Sequence, residues 1–403
     1  MSMDIQLYQD ESLESILLRL SHEKGYERFS HFAEDIWHEV LVNSTAIPGA
    51  FSLSLDLINI YHANTTSQMR VRTLMHLEQQ LGISNYGILR LALMHSKSIF
   101  SPNFKAINRH GCDYPFSFLR KRFTPICPHC LAEASYIRQE WQFIPIQACT
   151  KHKCQLIHLC PECGTRLEYQ KTESIHYCKC GYDLSKASIQ IALGGPLQVV
   201  QWLSGEGVFE HGLMNKQLSK SERYGFLLWY VHRYGDREDI NFDAFIRYCG
   251  SWPNLLCKEL DELIKKTDNT RVKGWKKVFF SEVFAGLLID CKQLPSCQLS
   301  RNTVSTQVLA YFIKLMAETP IDPKGNISDV LLSPLEASTL LSCTVGEINR
   351  LYKFGEIKAM IRLKKQTNID RNVSIFSLRS VIETKLTRMC SESDGLSLYL
   401  SEW

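Results

Sequence analysis

Eight of the fifteen cysteines in this 403-residue chain fall between residues 127 and 180, and they come in close pairs. CPHC supplies Cys127 and Cys130, CTKH supplies Cys149 and His152, CPECG supplies Cys160 and Cys163, and CKCG supplies Cys178 and Cys180. Tetrahedral zinc takes four Cys or His ligands, usually delivered as two close pairs on tight turns. The order along the chain therefore predicts two sequential sites. Cys127, Cys130, Cys149 and His152 form the first, and Cys160, Cys163, Cys178 and Cys180 the second. Cys154, two residues past His152, is the alternative fourth ligand of the first site. Gly164 and Gly181 follow the last two pairs, where a knuckle needs positive φ. The final pair is CxC rather than CxxC and requires a tighter turn. His129, His158 and His176 read as knuckle or surface residues.

The competing use of paired cysteines is a disulfide framework. MSMDIQLYQDES has no basic region followed by an apolar one, so it does not read as a secretory signal. The expectation is a bacterial cytoplasmic protein, whose reducing surroundings disfavour disulfides. The most apolar stretch, VFFSEVFAGLLID (278–290), is broken by Ser281, Glu282 and Gly286 and is too short to span a membrane. Catalytic zinc keeps an open position. Both sites here close with four protein ligands, which points to two structural Zn2+ ions. The seven remaining cysteines are isolated and read as small buried hydrophobes.

Around these modules the pattern is mainly α. In ESLESILLRLSHEKGY (11–26), Leu13, Ile16, Leu17 and Leu20 share one helical face, and Gly25 suits the stop. MRVRTLMHLEQQLG (69–82) repeats the pattern, and ISNYGILRLALMHS (83–96) reads as a third helix. NRHGCDYPFSFLRKRFTPIC (108–127) mixes basic and aromatic residues, consistent with nucleic-acid contact or with a linker packed on a neighbour. SERYGFLLWYVHRYG (221–235), 278–290 and TQVLAYFIKLMAE (306–318) read as core helices of one bundle. Pro320, Pro323 and Gly325 punctuate the chain. The expected division is a helical domain at 1–105, a double zinc region at 106–190, a helical bundle at 191–325 and a C-terminal domain at 326–403.

That last domain reads as a helix-turn-helix, with a wing as an option. Ser333 and Glu336 form a capping box around Pro334, and Thr344 with Glu347 offers a second before Gly355 ends the next helix. A wing would lie near IRLKK and VSIF, and SLRSVIETKL (377–386) resumes a helix behind Ser377. Between Arg350 and Cys390 there are ten Lys/Arg (350, 353, 358, 362, 364, 365, 371, 379, 385, 388) and three acids (356, 370, 383). The net charge is only +4, so this local excess reads either as the footprint of an acidic or phosphate partner or as a solvated face of a helical domain. Asn349, Arg350 and Lys353 on the second helix, with Arg362, Lys364 and Lys365 beyond it, are the candidate docking residues. Whether they meet nucleic acid or protein stays open at this point, since Glu347 stands where a DNA reader favours a neutral or basic side chain.

The chain holds no GxxxxGK[ST], HExxH or GxSxG motif, and its acids form no two-metal set. CPHCL, Trp141 ahead of the next pair, CTKH followed by Leu156, and CPECG together resemble the TniQ family, to which TnsD-like proteins also belong. Ser12, Leu13, Ser15, Arg19, Leu20 and Gly25 resemble its opening helix, so the likeness covers about residues 5–185. The resemblance implies a non-enzymatic target-selection role in DNA transposition. Members of this length resemble those of type I-F CRISPR-associated transposons, in which a TniQ homodimer sits on the Cascade–crRNA complex and recruits the AAA+ regulator TnsC and, through it, the transposase. Target DNA would then be contacted weakly, because the guide reads the sequence. The alternative implied is a TnsD-like protein that recognises an attachment site directly.

Overall fold

The structure, a computed structural model, describes residues 5–42, 51–59, 68–83, 85–101, 104–210, 212–236, 239–292, 294, 302–361 and 369–393. About half the chain is helical and strands are few. Among the described residues no helix is long and apolar enough to cross a membrane. The backbone divides into two units: Met1–Phe209 with Leu218–Tyr224 and Tyr230–Ile246, and Glu210–Gln217 with Gly225–Trp229 and Arg247–Trp403.

The first unit begins with α1 (Leu13–Glu23), where the Ser12 hydroxyl accepts from the Ser15 amide. Leu13, Ile16, Leu17 and Leu20 are fully buried, as their spacing requires, and Gly25 takes φ 82° at the helix end. Helices α2 (Phe29–Val42) and α3 (Gln68–Leu81) follow. The third helix expected at 83–96 does not form. Asn85 and Tyr86 take positive φ, which ends any helical run. A single 3-10 turn at Leu89–Leu91 then leads into strand β1 (Met94–Ser101). The buried Arg70 of α3 donates to the Leu93 carbonyl at 2.7 Å, and the Asn59 side chain accepts from the Leu93 amide at 2.8 Å. These bonds fix the chain as it enters the strand.

Strands β1, β2 (Phe104–Arg109) and β3 (Cys112–Pro115) form an antiparallel sheet in sequence order. His110 and Gly111 join β2 to β3 at φ 52° and 75°. Two consecutive positive φ values match the right-handed strand twist in a two-residue hairpin. The rest of the unit comprises α4 (Pro128–Glu133), β4 (Ala148–Cys149), β5 (Cys154–Gln155), α5 (Tyr169–Thr172), α6 (Gly195–Ser204), α7 (Lys220–Tyr234) and α8 (Phe242–Gly250), the division between units running through α7 and α8.

Polar groups stitch α1 to the cysteine-rich segment. The Ser12 amide donates to the Ile137 carbonyl at 2.9 Å, and the Ile137 amide donates to Ser15 Oγ at 3.0 Å. Glu14 is fully buried and accepts from Asn59 at 3.1 Å and from Gln142 and Gln170 at 3.3 Å each. Burial raises its pKa against those bonds, because a charge without water is costly. This set of directional contacts fixes how the opening helix seats on residues 137–170.

The second unit holds α9 (Asn254–Thr270), α10 (Phe280–Phe284), α11 (Leu287–Cys291), α12 (Thr303–Glu318), β6 (Leu331–Leu332), α13 (Pro334–Leu341), α14 (Val345–Lys353), β7 (Phe376–Ser377) and α15 (Leu378–Ser393). The core helix expected over 278–290 is two short ones, broken where Ala285 takes φ 49° before Gly286. Phe280 and Phe284, one turn apart on α10, both pack edge-on against Phe312 of α12, with centroids 5.4 and 5.2 Å away. Ser333 and Glu336 cap α13 reciprocally, as their spacing predicts, and Thr344 accepts from the Glu347 amide to start α14. Only Ser342, Cys343 and Thr344 separate the two helices. Strand β7 pairs antiparallel with β6, and Ala359 bridges to Phe376. The Ser380 amide donates to Ser377 Oγ at the head of α15. Glu347 lies 3.4 Å from Arg350 and 4.0 Å from Arg388 of α15. Its acidity is used inside the unit, tying α14 to α15.

Cys249, Cys291 and Cys343 are buried as expected, whereas Cys112 and Cys257 are half-buried and Cys390 is exposed. Their small apolar character did not require full burial. Cys297 lies outside the described residues.

Candidate metal centre

Local structure brings the first four ligands together by simple means. Cys127 precedes α4, and Pro128 starts that helix, so Cys130 falls in its first turn. Strands β4 and β5 pair Ala148 with Gln155 and Cys149 with Cys154. The intervening turn passes through Lys153 at φ 50° and carries His152 inward. The ligand atoms of Cys127, Cys130, Cys149 and His152 all lie within 4.8 Å of one another. His152 Nδ1 stands 3.4, 3.3 and 3.6 Å from the sulfurs of Cys127, Cys130 and Cys149. The Cys130 and Cys149 sulfurs are 3.6 Å apart.

The second four arise from two facing knuckles. The Gly164 amide donates to the Cys160 carbonyl at 2.9 Å, and the Gly181 amide to the Cys178 carbonyl at 2.8 Å. Both glycines take positive φ, 66° and 87°, as the motifs require. Leu159 bridges to Arg166 and Tyr177 to Asp183, closing the bases of the loops. Cys160 and Cys180 sulfurs lie 3.7 Å apart, and Cys163 and Cys178 sulfurs 3.6 Å apart. The CxC spacing therefore closes its site.

These separations identify what the clusters can hold. A disulfide would bring two sulfurs to about 2.05 Å, and all fourteen described cysteines are free thiols. Zinc–sulfur bonds of about 2.3 Å in a tetrahedron place neighbouring sulfurs about 3.8 Å apart, and a sulfur and an imidazole nitrogen about 3.5 Å apart. Both clusters match that cage, so each could hold one metal ion, and the thiolate and imidazole donors suit zinc.

The thiols shift one another in opposite directions. The neighbouring thiols of Cys127 and Cys130 hold Cys149 well below the ordinary thiol range, while Cys127 and Cys149 push Cys130 well above it. The Thr165 hydroxyl, 3.0 Å from Cys163, is the largest cause of a Cys163 pKa near 6, whereas burial raises Cys160. Thiols crowded this way compete for protons, and a bound cation would let all of them ionise.

Two surrounding residues escaped the sequence reading. Glu133, on the exposed side of α4, accepts from His152 Nε2 at 3.1 Å and also pairs with Lys151. Lys151 first and then His152 hold its carboxyl below the usual range. Such a carboxylate fixes the tautomer and orientation of a ligating imidazole. Glu133 stands three residues after Cys130 on the same helix, the only hint the chain offers; Thr165 follows Gly164 with no signal of its own. Cys154 approaches the Cys127 sulfur at 3.5 Å and is fully buried, but it stands outside the mutually close four.

The candidate docking residues are less concentrated. Arg350 and Lys353 are exposed on α14. Asn349 is half-buried, its Oδ1 enclosed and without a hydrogen-bond partner. Arg362, Lys364 and Lys365 lie outside the described residues.

No curated protein matches the chain. Residues 3–156 match the model of the TniQ family, a stretch that runs from the opening helix through all four ligands of the first cluster and ends before the second.

Proposed function

We propose that this chain is a non-enzymatic target-selection adaptor in DNA transposition. It acts as a homodimer that links a crRNA-guided type I-F Cascade complex to the AAA+ regulator TnsC and the transposase. The observation that carries this reading is the TniQ match over residues 3–156. Those residues include α1, the first cluster and the bonds that join them. An adaptor needs rigid surfaces at fixed spacing more than it needs a reactive group. Two closed zinc sites, Cys127/Cys130/Cys149/His152 and Cys160/Cys163/Cys178/Cys180, would supply that rigidity by adding metal-binding energy to folding. Helices α13 and α14 form the proposed helix-turn-helix, presenting Arg350 and Lys353. Two copies engaging one assembly would gain avidity without new sequence.

The test is co-expression with a type I-F Cascade and its crRNA, purification through Cascade, and a mass measurement. Two copies retained per complex support the adaptor. A second reading, TnsD-like recognition of an attachment site, draws on the exposed Arg350 and Lys353. It requires the chain alone to hold one duplex far more tightly than random DNA, with a steep salt dependence. No retention on Cascade together with such binding would replace the first reading by the second.

A further inference from the structure

A groove of about 1100 Å3 opens in the first unit beside the β4–β5 turn, with Gln147, Gln155 and Leu156 along one side. Lys121, Arg122, His158 and Arg166 line it as exposed basic or titratable groups, and Phe116 and Phe123 form half-buried parts of its wall. Among the described residues of the lining, Asp236 is the one acid. The cations and rings alternate in space. Lys121 Nζ lies 5.6 Å from the Phe116 centroid, and the Arg166 guanidinium 5.2 Å from that of Phe123.

Arg120 serves the fold. Its guanidinium donates to the carbonyls of Trp141 at 2.8 Å, Ile144 at 3.0 Å and Ile146 at 3.2 Å, and also to Phe143. Lys121, Arg122 and Arg166 have no ion pair among the described residues. Three cations gathered around one concavity, against a single acid in its described lining, make a site for a polyanion. Rings set between them add a surface on which a flat base can stack. A duplex carries its phosphates on a broad convex rod, which does not enter a groove of this size. A single strand can lay its backbone along the rim and turn a base inward.

We propose that this groove binds single-stranded nucleic acid, with Lys121, Arg122 and Arg166 on the phosphates and Phe123 against a base. The second cluster helps build it. His158 and Arg166 flank the Cys160–Thr165 knuckle, which the Leu159–Arg166 bridge closes. Order in that knuckle therefore sets where two of the groove's basic groups stand. The groove is a binding site beyond the adaptor reading, and its assay contains neither Cascade nor TnsC, so either idea can fail without the other.

The test is fluorescence anisotropy of the full, metal-loaded chain with labelled 12-mers of dT, of U, and of a mixed-sequence duplex across a salt series. The single strands are expected to bind more tightly than the duplex. Three phosphate contacts give a log–log salt slope of about −2. The pair Lys121→Glu and Arg122→Glu is expected to weaken single-strand binding at least tenfold and to flatten that slope. The milder pair Lys121→Gln and Arg122→Gln keeps the result readable should charge reversal disturb folding, and Lys171→Glu on α5, an exposed lysine outside the groove's lining, serves as the control. A preference for U or for dT identifies the strand as RNA or DNA, and either supports the proposal. Unchanged binding by both groove variants, equal loss in the control variant, or tighter binding of the duplex would overturn it.

Discussion

The imidazole of His152 meets the carboxylate of Glu133 through the nitrogen that points away from the thiols, Nε2 to Oε1 at 3.1 Å. The other nitrogen faces the sulfurs of Cys127 and Cys130 at 3.4 and 3.3 Å. One residue thus chooses which nitrogen of the other is free to bind an ion. Losing such a carboxylate typically lowers metal affinity about 10–100-fold. Glu133→Gln is expected to weaken one of two ions by that factor in competition against a chromophoric chelator, leaving the other unmoved. Two unshifted ions would remove Glu133 from the metal's support. Glu133 is exposed, so the stability of the metal-free chain should change little.

The same geometry separates His152 from Cys154. The Cys154 sulfur lies 3.5 Å from that of Cys127 but outside the mutually close four, and its backbone pairs with Cys149 across β4–β5. Elemental analysis of Cys154→Ser should still return two ions per chain, and that of His152→Ala one. The reverse pattern would make Cys154 the ligand.

The second cluster should matter for local order. Its knuckles are held by a few backbone bonds and by the ligands, with Cys163 and Cys180 facing solvent. Metal-binding energy is then a large share of what folds this segment. Cys160→Ser should lose one ion and expose the amides of residues 157–184 to hydrogen exchange, while α1 stays protected by its packing. Full protection in the metal-depleted variant would show that the segment folds without its ion.

What was legible in the chain follows from how local each signal is. The two clusters of four Cys/His side chains, both knuckle glycines, the periodic face of α1 and the Ser333 cap depend on spacings of two to four residues, which backbone geometry dictates directly. The sheet at 94–115 was missed because its strands are held by partners elsewhere, Arg70 and Asn59 among them. Its one local cue was the His110–Gly111 turn. The break inside 278–290 falls at Ala285, a good helix former that takes φ 49°, a conformation its own identity does not announce. Glu133 could not be read because its role depends on where the β4–β5 turn sends His152. The basic groove was legible in part: the basic and aromatic run at 108–127 supplies Phe116, Lys121, Arg122 and Phe123, whereas His158 and Arg166 come from a segment with no such signal.

Glu11 provides a test in pH. Its carboxylate is enclosed at the start of α1, 2.7 Å from Arg19 and accepting from Ser15 at 2.7 Å. Burial outweighs both partners and raises its pKa from 4.5 to about 7. The folded chain therefore holds this proton more tightly than the unfolded chain does. The stability it contributes is complete below about pH 4.5 and is lost as pH rises through about 7. At about 1.4 kcal/mol per pH unit across that window, the loss is about 3 kcal/mol. Glu11→Gln removes the titration while keeping an oxygen for Ser15. Urea midpoints compared at pH 5 and pH 8, with metal saturating, should fall more steeply for the wild type than for the variant. Using the difference between the two proteins cancels the thiol protonation that both share. Parallel profiles would mean that the ion pair with Arg19 keeps Glu11 ionised throughout, and that burial at this position is not the dominant effect.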